Sequence, residues 1–225
     1  MSGAAPAVEA VVFDLDGVLV DSEQVWDEVR EALAHERGGR WHERAQREMM
    51  GMSSPEWSRY MHESVGLRES PEEINRLVVE RMLERYAKGP PWLPGALEAV
   101  ARTASAYTLG LASSSNRDLI DRVLEAGGIA GLFRATVSSE EVAHGKPAPD
   151  VYLAAARHLG VEPRACVAVE DSHNGIRSAK AAGMTCVAIP NPHFPPGDAL
   201  AEADLVLGSL NELTPRLLAL RAGGA

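Results

Sequence analysis

The chain has 225 residues, 45% of them hydrophobic, with 32 Asp and Glu against 22 Lys and Arg and a formal charge of −10. That length can bury a full core in one or two domains, and the acidic balance argues against a nucleic-acid partner, whose phosphates call for clustered Lys and Arg. No apolar run approaches 18 residues and no secretory leader is read, so neither a membrane partner nor export is expected.

In chain order, the first element is an apolar strand, Val11-Val12-Phe13, that runs into Asp14-Leu15-Asp16-Gly17. Residues two apart point to the same side of a strand, so both carboxylates can project from its carboxyl end, where open parallel sheets carry ligands. Two neighbouring anions there need a cation, a shared proton or both. A solvated acidic turn is the plainer alternative for these residues taken alone. From about Asp21 to Gly89 the pattern is helical, with no convincing strand. Glu23 to Glu36 carries Trp26, Val29 and Leu33 at helical spacing, and Glu72 to Tyr86 carries Ile74, Leu77, Val78 and Met82. Gly38-Gly39 and Gly51 separate the pieces, and Pro55 and Pro71 suit first-turn positions. Beyond Gly89-Pro90-Pro91, strands and helices alternate. Pro94-Gly95 opens a helix, Tyr107 to Ala112 reads as a strand, and Asn116 to Ala126 as a helix. A short strand at Ala135 to Ser138 and a helix at Asp150 to Leu159 follow, the latter capped by Asp150. Ala165 to Val169, a helix from Ser172, Met184 to Ile189 and Leu205 to Leu207 complete the series. Alternation of this kind predicts an α/β fold, a doubly wound (Rossmann-like) parallel sheet. Its core comprises residues 1–20 and 91–225, and an all-helical cap, residues 21–90, is inserted after the first strand. Cys166 and Cys186 lie in strand-like runs and read as buried thiols of a reducing, cytoplasmic compartment.

Three further segments lie in or just after candidate loops: Leu109 to Asn116, Gly145 to Asp150, and Val167 to Ser172. Together with Asp14-Leu15-Asp16-Gly17, and in this order, they resemble the four motifs of the haloacid dehalogenase-like phosphotransferase superfamily, over about Val11 to Leu213. The resemblance is to the branch with a helical cap after the first strand, which includes sugar phosphatases, beta-phosphoglucomutases and phosphoglycolate phosphatases. It implies Asp14 as nucleophile and Asp16 as general acid and base. Such a pair splits one hard step into two through an aspartyl-phosphate. It implies Ser113 as a hydrogen-bond partner of the transferring phosphoryl group, with backbone N–H groups at Ser114 and at the helix start near Asn116 adding to the cradle. Lys146 would be the third-motif lysine. By the same resemblance the ligands of a Mg²⁺ cofactor are the Asp14 carboxylate, the Asp16 backbone carbonyl and Asp171, with Glu170 direct or through water. Oxygen donors suit such a hard cation. Alone, Glu170-Asp171-Ser172 also reads as an acidic helix cap.

Asp16 weighs against the dehalogenases, which lack a carboxylate at that place. Lys88 is the one lysine of the cap and sits at its exit, which weakens a Schiff-base reading. Beta-phosphoglucomutases carry a histidine twelve residues after the nucleophile, where this chain has Trp26. They carry an arginine after a cap Gly-x-Ser, where Gly51-Met52-Ser53 is followed by Ser54. Both departures favour a hydrolase of a small phosphorylated metabolite, a sugar phosphate above all. Glu23, Trp26, Gly51 and Ser53 are the candidate specificity residues, although Trp26 can equally be packing. A phosphosugar mutase and a catalytically idle binding module are the alternatives. A monomer is expected.

Overall fold

The computed structural model describes residues 7–42, 44–49, 52–191 and 195–222. Six strands form one sheet: β1 (Ala10–Phe13), β2 (Thr108–Ser113), β3 (Phe133–Ser138), β4 (Cys166–Glu170), β5 (Thr185–Ala188) and β6 (Leu205–Val206). Their spatial order is β3-β2-β1-β4-β5-β6, and every pairing is parallel. The order reverses beside β1, which places the ligand crevice of a doubly wound sheet at the carboxyl ends of β1, β2 and β4. Every strand foreseen in the sequence forms.

A sheet covered on both faces buries every residue of its central strands, and β1 and β4 do so throughout. Val11, Phe13, Val167 and Val169 point to one face; Ala10, Val12, Cys166 and Ala168 point to the other. The second face is built of small side chains. Helices α7 (Asp150–Leu159) and α8 (His173–Ala181) cover it with alanines of their own, Ala154, Ala155, Ala156 and Ala179. Against the first face pack α5 (Ala96–Ala104), α6 (Arg117–Ala126) and α9 (Pro215–Ala222), through Val100, Ile120, Val123 and Leu218 among others. Cys166 and Cys186 are free and buried.

Between β1 and α5 the described residues form α1 (Glu23–Glu36), α2 (Ala45–Met49), α3 (Ser54–Tyr60), which runs on into a π-helical turn at Met61–Val65, and α4 (Pro71–Tyr86). The chain enters and leaves this block on two adjacent linkers. The Asp21 N–H donates to the Pro91 carbonyl at 2.7 Å and the Leu93 N–H to the Leu19 carbonyl at 2.9 Å. The two short helices carried no legible period of their own, and α9 was not foreseen at all. In α4 the buried face is turned slightly from the expected one: Val79 is buried and Leu77 only half so. Asp150 is the first helical residue of α7 rather than its cap, and its carboxylate meets His144 Nδ1 at 3.2 Å.

One glycine of α8 lets the helix wrap a side chain of β4. A Cβ on Gly175 would overlap the Glu170 carboxylate, which has no other place to go because Glu170 is fully buried. Gly175→Ala is expected to lower stability by about 2 kcal/mol or more. Gly131→Ala, which meets open space, should stay within about 0.5 kcal/mol of wild type. Urea unfolding of the two proteins side by side checks this; equal midpoints would show that α8 yields around Glu170 at no cost.

Candidate active site

Four segments separated in sequence meet at the carboxyl ends of β1, β2 and β4. Asp14 follows β1 directly, and Lys146 reaches it from the loop before α7. The Lys146 ammonium stands 3.0 Å from Asp14 Oδ1 and 2.5 Å from Glu170 Oε1, and lies over the Tyr152 ring, 5.0 Å from Nζ to centroid. Tyr152 also donates its hydroxyl to Glu170 Oε1 at 2.7 Å. The second Glu170 oxygen accepts from the Asp171 and Ser172 N–H groups, at 3.1 and 3.4 Å, and from the Ser172 hydroxyl at 3.3 Å. Both oxygens of Glu170 are therefore engaged.

Asp14, Glu170 and Asp171 bring ligand oxygens within 4.8 Å of one another, and all three are buried. Two like charges at about 4 Å repel by about 4 kcal/mol at an effective dielectric of about 20, and one lysine cannot offset three such anions. Burial, with the charges of Glu170 and Asp16, pushes Asp14 up to about 8 against the pull of Lys146. Burial first, then the charges of Glu170, Asp14 and Glu23, raise Asp171 well above the carboxylate range. Burial alone would lower Lys146, but Asp14 and Glu170 outweigh it and hold the ammonium above its ordinary range. Among the described residues, Asp171 Oδ1 is buried without a hydrogen-bond partner, and Asp14 Oδ1 meets Lys146 by charge rather than by an aligned hydrogen bond. A divalent cation with oxygen ligands fits this donor set. Gly17 supplies the clearance: its φ is +76°, and a Cβ there would overlap the Asp171 carboxylate.

Asp16 does not join the cluster. Its carboxylate accepts four hydrogen bonds: from the Ser22 hydroxyl at 2.5 Å and Trp26 Nε1 at 3.2 Å, at the start of the helical block, and from the hydroxyls of Ser113, the last residue of β2, and Ser115, just after it, at 3.3 and 2.6 Å. It thus lies between the two parts of the molecule. Ser113 accepts from the Ser115 N–H at 2.9 Å, which closes the turn after β2.

A cavity of about 50 Å³ separates the helical block from the sheet. Asp14, Asp16, Ser114, Lys146 and Asp171 line it from the sheet side, joined by Glu23 and Trp26 of α1. Ser53 and Asn116 lie outside the lining. Ser53 donates to Glu56 at the start of α3. Asn116 sits at the seam, accepting from the Ser54 hydroxyl at 2.9 Å and donating to Asn75 and Glu140 at 3.2 and 2.6 Å. Gly51 lies outside the described residues. The cavity is also lined by Arg30, Met49 and Trp57, which the sequence reading passed over, and by Met52, Ser115 and Ser172, which lie inside the motifs it named without being singled out. Arg30 had a signal. It is four residues after Trp26 and next to Val29, which puts it on the apolar stripe of α1.

Among known proteins, a model of the haloacid dehalogenase-like hydrolase family matches residues 8–183. Hexitol phosphatase B of Escherichia coli K12 is 34% identical over 226 residues, which cover 92% of this chain and 95% of that protein. The crystal structure of CbbY from Rhodobacter sphaeroides, in complex with phosphate, superposes with a TM-score of 0.83 at 29% identity over 92% of this chain and 96% of that one. A beta-phosphoglucomutase from Clostridium difficile also gives 0.83, at 25% identity over 96% and 97%.

Replacing Lys146 removes the cation at the centre of this cluster. In metal-free buffer Lys146→Met is expected to cost about 3–5 kcal/mol of unfolding free energy, and Tyr152→Phe about 1–2 kcal/mol. Denaturant titration measures both; a Lys146→Met protein as stable as wild type would mean that the three carboxylates are neutralised by some other group.

Proposed function

We propose that this chain, which belongs to the haloacid dehalogenase-like hydrolase family, is a Mg²⁺-dependent phosphatase of small phosphate esters, sugar phosphates foremost. The buried Asp14–Lys146–Glu170–Asp171 cluster carries the reading. It pairs an acid at the tip of β1 with a cation, and two of its buried carboxylate oxygens, Asp14 Oδ1 and Asp171 Oδ1, accept no hydrogen bond among the described residues. The phosphatases among its relatives support the substrate class.

Asp14 and Asp171 would hold the metal directly, with Glu170 orienting the assembly through its five hydrogen-bond contacts. When bound, the ion supplies charge neutralisation of the phosphoryl oxygens and favours the ionised form of Asp14. An Asp14 oxygen attacks phosphorus, the ester oxygen leaves, and Asp16 gives it a proton. The Asp16 carboxylate then takes a proton from water, whose oxygen attacks the aspartyl-phosphate, releasing phosphate and restoring Asp14. Lys146 stays beside Asp14 throughout and offsets charge on the transferring group.

A cavity of about 50 Å³ is far below the roughly 300 Å³ or more of an ordinary small-molecule site. The helical block therefore acts as a cap, standing away to admit the ester and closing to exclude water. Its paired linkers, Leu19 to Asp21 beside Pro91 to Leu93, are the natural hinge. Two observations favour hydrolysis over transfer between sugar positions. Ser54, at the place of the mutase arginine, is engaged with Asn116, and Trp26, at the place of the mutase histidine, donates to Asp16.

Phosphate release from hexose, pentose and two-carbon phosphates should require Mg²⁺ and fall on the order of 10³-fold or more in Asp14→Asn. Residual turnover near wild type would remove Asp14 as nucleophile. Saturating Mg²⁺ should also raise the melting temperature by about 5–10 °C, and Asp171→Asn should abolish most of that rise. A wild-type melting curve indifferent to the metal would count against the ligand set.

A further inference from the structure

Arg30 is a cation lining the cavity that the chemistry above leaves unused. It is 6% exposed, yet among the described residues its Nε has no hydrogen-bond partner and no carboxylate reaches ion-pair distance of it. Its guanidinium carbon lies 4.7 Å from the Trp26 ring centroid and 4.8 Å from that of Trp57, and the two rings are 6.0 Å apart. These separations close a triangle, so the indoles meet the guanidinium as two walls of a corner and not as a sandwich. Cation–π attraction holds the group in place while leaving N–H donors uncommitted. All three residues belong to the helical block, Trp26 and Arg30 to α1 and Trp57 to α3, so the corner stays intact whether or not the block stands away from the sheet.

The charges around Arg30 do not neutralise it. Glu23, Asp27 and Asp16 are the acidic groups that act on it. Asp16 is committed to four donors. Glu23 is pushed up to about 7, by burial first and by its acidic neighbours, in spite of Arg30. Burial lowers Arg30 itself only to about 10, so it is a cation at neutral pH. Glu23 lines the same cavity as Asp16 and Arg30. Lys146, the other cation lining the cavity, is already paired twice.

We propose that Arg30 is a specificity residue that selects phosphate esters bearing a second anionic group, a carboxylate or a second phosphate, at the end remote from the phosphoryl group transferred. A guanidinium presents its donors as a fork that matches either anion, and the water-poor corner strengthens the contact. The proposal rests on the phosphatase reading.

Matched ester pairs test it: 6-phosphogluconate against sorbitol 6-phosphate, which differ by a carboxylate for a hydroxymethyl group, and fructose 1,6-bisphosphate against fructose 6-phosphate. Phosphate release is followed with Mg²⁺ for wild type, Arg30→Gln and Arg30→Lys. At least one pair should show a kcat/KM ratio above about ten in wild type, and the pair that does so tells a carboxylate site from a phosphate site. Arg30→Gln should reduce that ratio by about 30-fold or more, mainly through KM, and Arg30→Lys should restore part of it. Wild-type ratios near one for both pairs, with p-nitrophenyl phosphate turned over, overturn the role of Arg30 alone, whatever the variants do. A ratio that survives in Arg30→Gln overturns it equally. No phosphate from any ester, p-nitrophenyl phosphate included, brings down the phosphatase reading and this proposal with it.

Discussion

Three carboxylates buried within one ligand distance of each other set the terms for the rest of this molecule. Asp14, Glu170 and Asp171 stand where β1 and β4 end side by side, and a protein interior does not hold such a group without compensation. Part of the compensation is internal: Lys146, Tyr152 and the first N–H groups after β4 all converge on Glu170. The rest is left open at Asp171 and Asp14. Much of the local architecture follows from keeping this arrangement in place. Gly17 and Gly175 carry no side chain because the two neighbouring acids occupy that volume. The Ala-rich face under α7 lets that helix lie close to the sheet, which brings Tyr152 and the Lys146 loop to the cluster.

The helical block is coupled to this centre by polar contacts as well as by packing. Asp16 binds donors from both sides, Ser22 and Trp26 from the block and Ser113 and Ser115 from the sheet. Asn116 makes a second tie, between Ser54, Asn75 and Glu140. A change in the position of the block must therefore break or exchange hydrogen bonds to the carboxylate that stands nearest in sequence to Asp14. Two-part polar seams of this sort favour a small number of discrete arrangements over a continuous slide. The indole corner around Arg30 lies wholly on the helical block, and the Asp14 cluster wholly on the sheet side. The cavity between them is thus a space whose two walls carry different chemistry.

Much of this was legible in the chain. The apolar runs ending in Asp14, Ser113 and Glu170 announced the strands and the crevice at their ends, because a parallel sheet buries both faces and offers only its carboxyl edge to a ligand. The α1 and α6 stripes and the block between β1 and β2 were equally plain from period. Helices α2 and α3 were not, since five and seven residues hold too little period to read. Arg30 was overlooked because the reading gathered apolar residues on α1 and passed over a charge lying on the same stripe.

The sequence by itself determined which segments become strands and the helices long enough to show a period, and which strand ends carry acids, because those properties depend on spacing within a few residues. It did not determine which partner each polar group takes. That Ser113 turns to Asp16, that Asn116 joins the block to the sheet, and that Arg30 stands between two indoles with donors to spare were decided by the tertiary structure alone. Each of these contacts joins residues on different elements, and a charge has no environment until packing has chosen its neighbours.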